Sequence, residues 1–69
     1  MRIGTVKFFL EDKGYGFIDP DGGGVNVFVH GDELERCGVT IERGDRVRFE
    51  TERAAGGRLR AINVAPILD

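Results

Sequence analysis

Two short runs of residues, Tyr15 to Asp19 and Val25 to His30, place rings and aliphatic side chains on opposite parities around the turn "DPDGGG". Val27 and Val29 share one parity, and Phe28 and His30 share the other. Tyr15 and Phe17 likewise oppose Gly16 and Ile18. Successive side chains of a strand point to opposite faces, so this pattern specifies a hairpin with one aliphatic and one aromatic face. Pro20 lacks an amide donor and is expected to break the second strand after Asp19, and the glycines that follow suit a tight turn.

The rest of the chain repeats the same grammar. Ile3 to Leu10 is β-rich and apolar, with Thr5 and Lys7 interrupting, and "EDKG" turns the chain. "GDELERCG" reads as one brief helical turn, with Asp32 as its cap, Glu35 three residues on and Gly38 at its end. Arg46 to Arg53 alternates cleanly, with Val47, Phe49 and Thr51 inward and charged residues outward. After "AAGG", Arg58 to Ile67 forms a fifth strand, with Arg60, Ile62 and Val64 on one parity and Leu59, Ala61 and Asn63 on the other. Five short antiparallel strands with glycine turns favour a closed barrel, which removes exposed strand edges. The expected fold is all-β: a five-stranded antiparallel OB-type barrel with one short helical turn between strands three and four.

Sixty-nine residues are read as one domain, residues 1–69, of modest stability. No apolar run approaches the 18 residues of a membrane span, and the N-terminus lacks a leader pattern. Together with the lone Cys37 this gives the expectation of an intracellular, cytoplasmic protein. No catalytic set is visible, since His30 is the sole histidine. "DPDGGG" lacks the distant glutamate of a calcium loop, and His30 with Cys37 is too sparse for zinc. The chain is therefore expected to be no enzyme, to need no cofactor or metal, to take no small-molecule substrate, and to act as a monomer.

Net charge is −2, which argues against binding nucleic acid mainly through charge. The charge is uneven, however. Residues 1–35 carry three basic and seven acidic side chains, whereas residues 36–69 carry seven arginines and five acids. An outward aromatic face answers this. Flat rings stack on unpaired bases, each worth about 1–3 kcal/mol on truncation, so a few cations suffice for the phosphates. Each ring taken alone is as readily core, and Phe49 is read as core. The case for Tyr15, Phe17, Phe28 and His30 rests on parity, because the other parity already supplies the aliphatic interior.

These residues carry a family resemblance. Lys13-Gly14-Tyr15-Gly16-Phe17-Ile18 resembles the first ribonucleoprotein motif. Val27-Phe28-Val29-His30 resembles the second, as it occurs in bacterial cold-shock proteins. "GTVKFF" is similar to that family's first strand and "INVAP" to its last, so the likeness runs from Ile3 to about Ile67. It implies an OB-type barrel that binds single-stranded RNA or DNA, in a family whose members act as RNA chaperones and antiterminators. Lys7, Phe8, Lys13, Tyr15, Phe17, Phe28 and His30 match its binding face. Phe9 matches a partly exposed ring, although its parity opposes that of Phe8 unless a bulge brings it round.

The departures are specific. Phe8 stands where the family usually has tryptophan, and Leu10 where it has asparagine. Gly31 replaces a ring after the histidine. Val39 replaces another in a loop one residue short. Arg58 and Arg60 stand where the family has small or neutral residues, and Arg60 is a candidate to recover affinity through phosphate contact or stacking. The competing reading is an OB-type protein–protein interaction module with weakened nucleic-acid binding. The intact Lys13, Tyr15, Phe17, Phe28 and His30 cluster argues against it.

Overall fold

The computed structural model describes residues 1–68. Five strands close into a barrel: β1 (Arg2–Leu10), β2 (Tyr15–Pro20), β3 (Val27–His30), β4 (Arg46–Arg53) and β5 (Leu59–Pro66), in the order β1-β2-β3-β5-β4. A short helix, α1 (Gly31–Cys37), follows β3, and a 3-10 turn at Ala55–Gly57 joins β4 to β5. Pro20 is the last residue of β2 and pairs with Gly4, one position beyond the expected break. Val25 lies outside β3 and is exposed, because the turn takes it in.

The barrel is antiparallel at every seam but one. β3 and β5 run parallel through the Phe28–Arg60 pair. The all-antiparallel expectation fails here for a topological reason. Directions cannot alternate all the way around a closed ring with an odd number of strands, so one seam must be parallel.

The interior is apolar and closed. Val6, Ile18, Val27, Val29, Val47, Phe49, Ala61 and Val64 fill it from the strands, and Leu34 of α1 and Ile41 complete the cluster. Gly16 is required by close approach: a Cβ there would stand 2.2 Å from the Phe8 carbonyl oxygen.

Two irregularities set which side chains face out. In β1, Val6 pairs with Ile18 but Phe8 pairs with Phe17, leaving Lys7 as an extra residue. This bulge sends Val6 inward and Phe8 outward, although a regular strand would put both on one face. In β5, Ala65 pairs with Arg48 and Ile62 with Glu50, so β5 holds one residue more than β4 at this point. Asn63 takes φ 53 there. Ala61 and Val64 are both buried as a result, which breaks the simple alternation expected for this strand.

The helix cap also differs from expectation. His30, not Asp32, caps α1: its Nδ1 accepts from the Asp32 N–H at 3.0 Å. Asp32 falls in the first turn instead, where its charge suits the helix dipole. Gly38 ends the helix at φ 71, a conformation glycine adopts without strain.

Candidate nucleic-acid interface

The ring cluster is assembled by strand register. Phe8 on β1 pairs with Phe17 on β2, and Phe17 pairs with Phe28 on β3. Tyr15 pairs with His30 one row along. Ring centroids stand 5.6 Å apart for Phe8–Phe17, 5.7 Å for Phe17–Phe28 and 5.9 Å for Tyr15–Phe28. Tyr15 and Phe28 are nearly coplanar in orientation, at 22°. Tyr15 meets Phe17 edge-on, and Phe28 contacts His30 at 6.2 Å. Each ring is therefore braced by at least one other, a geometry favourable to aromatic pairs and one that fixes the outer faces.

These rings are half-buried and His30 is exposed, whereas the opposite parity of the same hairpin is sealed. Ile18, Val27 and Val29 are 0 % accessible. The parity argument from the sequence thus describes the two faces of the hairpin correctly.

Cations flank the cluster on both sides. Lys7 projects from the bulge beside Phe8, and Lys13 from the turn before Tyr15; both are exposed. Across the parallel seam, Arg60 pairs in backbone register with Phe28. The Arg58 guanidinium lies over the Phe28 ring, 5.4 Å from its centroid. Phe8, Tyr15, Phe17, Phe28, His30 and Arg60 are thereby brought onto adjoining strands in one band, and Arg58 reaches it from the end of the 3-10 turn, since β5 begins at Leu59 and not at Arg58 as expected. Arg60 also binds the Glu52 carboxylate through Nε and Nη2, which offsets its charge. Phe9 stands apart. It pairs with Gly16, packs against the core and joins no ring pair among the described residues. The bulge lies before Phe8 and so does not bring Phe9 round.

A polar staple holds α1 against β5 next to this band. Glu33 accepts from Arg36, from the Asn63 backbone N–H at 2.9 Å and from the Cys37 thiol at 3.3 Å. Arg36 also donates to Asn63 Oδ1 at 2.7 Å, and Asn63 Nδ2 donates to Glu50 at 2.8 Å. The Arg36 guanidinium, outweighing partial burial and helped by the other donors, pulls the Glu33 carboxyl down to about 2. Elsewhere, Arg46 holds Asp21 by two bonds of 2.7 Å, which lowers the Asp21 carboxyl below its ordinary value.

The sequence reading missed the His30 cap, the Arg58–Phe28 contact and the Glu33–Asn63 staple. A histidine directly before an acid-rich helical turn was the available signal for the cap. Nothing local to Asn63 or Arg58 announces its long-range partner.

A closed five-stranded barrel of OB type, with a cluster of braced rings outside and cations at its edges, has the form of a nucleic-acid-binding module. The comparisons with known proteins are more specific. Residues 2–67 match the profile of the "'Cold-shock' DNA-binding domain". The chain belongs to that family. It is 48% identical over 64 residues to the cold shock-like protein CspA of Shewanella violacea, covering 91% of this chain and 90% of that one. It is 46% identical over 68 residues to the cold shock-like protein CspA of Stigmatella aurantiaca, covering 97% and 98%. The match to glycine-rich protein 2 of Nicotiana sylvestris is 44% over 62 residues, 88% of this chain but only 29% of that protein. Among the described residues no helix is long and apolar enough to cross a membrane.

Proposed function

We propose that the protein holds single-stranded RNA or DNA by stacking unpaired bases on Phe8, Tyr15, Phe17, Phe28 and His30. Lys7 and Lys13 neutralise phosphates along the same path. In this reading the protein serves as an RNA chaperone or as a regulator of transcription or translation. No step of it requires catalysis, a cofactor or a second copy of the chain.

The observation that carries the proposal is the contrast within one hairpin. Aliphatic residues that could sit on either face are sealed inside, while larger rings are left on the surface. Exposed aromatic patches favour association over solvation. Stacking accepts any base, and it explains how a chain of net charge −2 holds a polyanion. The ring cluster also favours a base ligand over a protein partner, since a protein-docking face gains nothing from clustered rings edged by lysines.

The test is a titration of a short oligopyrimidine into isotopically labelled protein, followed through backbone amide shifts. Perturbations centred on residues 7–17 and 26–30 support the proposal. Perturbations absent from both segments under saturating oligonucleotide overturn it.

A further inference from the structure

The surroundings of the ring cluster are electrically lopsided, and the asymmetry bears on where a bound strand goes. Any such route presupposes the stacking function proposed above.

On one flank, between α1 and the β1–β2 turn, lies a groove of about 530 Å³. Its apolar floor includes Phe9, Leu34 and Val39, and its wall carries the carboxylates Glu11, Asp32 and Glu35. None of the three is joined to an arginine or lysine among the described residues; Asp32 has only His30 nearby, at 3.7 Å. Like charges separated by less than a Debye length, about 8 Å at physiological salt, repel effectively. A phosphodiester backbone therefore meets three negative charges if it runs on from His30 into this groove.

The other flank is β5. Arg58 makes no ion pair among the described residues, and its recorded contact is the face of Phe28. This differs from Arg36, Arg46 and Arg60, each of which is held by a carboxylate. A guanidinium is planar, weakly hydrated and stacks on π-faces as readily as it pairs with anions. It stands 5.4 Å from the ring centroid, so a lift of less than one stacked-base rise, about 3.4 Å, admits a base beneath it. Arg58 is exposed and follows Gly56 and Gly57, so no packed core resists that lift.

We infer that a bound strand leaves the cluster across β5, with a base held between the Phe28 ring and the Arg58 guanidinium, rather than along the carboxylate-lined groove beside α1. The clamp gives Phe28 a second stacking surface made from a side chain that the free protein already stores on the ring.

The experiment compares oligouridylates of four and seven nucleotides on wild-type protein, Arg58→Gln and Arg58→Lys, with affinity, salt slope and amide shifts read together. Lengthening is expected to add shifts at residues 58–60 and to leave 35–41 unmoved. Both variants are expected to bind the longer strand about tenfold more weakly, because neither glutamine nor lysine offers the guanidinium plane. The salt slope should stay unchanged. Full affinity in Arg58→Lys, with Arg58→Gln losing about 0.7 of the slope, would show a simple phosphate contact and overturn the clamp. New shifts confined to 35–41 would overturn the route. A wild-type protein that binds neither oligonucleotide would remove the stacking function itself, whereas normal wild-type binding with both variants unaltered removes only Arg58.

Discussion

The two faces of the β2–β3 hairpin divide its four backbone pairs, two to each face, for opposite ends. Inward, Gly16, Ile18, Val27 and Val29 are chosen by volume, and they leave no accessible surface worth the name. Outward, Tyr15, Phe17, Phe28 and His30 stand in the same register, yet they are braced by one another, by Phe8 and by Arg58. The inner face is tuned for stability and tolerates no added atom. The outer face exposes apolar ring surface that contributes less to folding than it would if buried. Substitutions on the two faces should therefore separate stability from binding.

The sharpest separation is expected at Gly16. Gly16→Ala drives a methyl into the Phe8 carbonyl, and it should lower unfolding free energy by about 3 kcal/mol in denaturant titrations. Phe28→Ala and Phe17→Ala should do the reverse. Each removes a platform and should weaken oligonucleotide binding roughly ten- to a hundredfold by titration. The loss of ring pairs should cost only about 1 kcal/mol of stability, readable in the same unfolding curves. Equal losses of stability and affinity at all three positions would erase the distinction between the faces.

A smaller effect is expected at the staple that braces the band from the side. Glu33 titrates near 2 in the folded protein against an ordinary 4.5. The unfolded chain thus takes up the proton first on acidification. The stabilising contribution is complete above about pH 4.5 and is lost as the pH falls toward 2. Glu33→Gln should lower stability at pH 7 by about 1–2 kcal/mol and flatten the acid limb of the stability curve. Base binding at neutral pH should change little. Smallest of all is Lys7→Gln, which should leave stability intact and reduce the salt slope of binding by about 0.7.

Much of the fold was legible because period-2 alternation survives any tertiary context in which one face is buried. The strands and the inward Phe49 follow from it, whereas the helical turn was read from its capping residues and terminal glycine. Two irregularities that the alternation hid share one cause. Lys7 and Asn63 are extra residues in their strands, and an insertion leaves no chemical signature on the residue that makes it. Asn63 therefore shifted the expected parity of β5. The parallel seam was likewise hidden, although five strands in a ring require one. Of the candidate site, the rings and lysines were visible from parity and motif. The Arg58–Phe28 contact was not, because it joins residues thirty positions apart in sequence. Phe9 shows the opposite case: its parity pointed inward, and it packs against the core.

The central claim is that bases are held by stacking rather than by charge, and the salt dependence of oligopyrimidine affinity tests it most directly. With two lysines and few arginines near the strand, log K against log salt should fall with a shallow slope, near −0.7 for each phosphate neutralised. A slope steeper than about −4 would mean that many phosphates carry the affinity, and it would contradict the account.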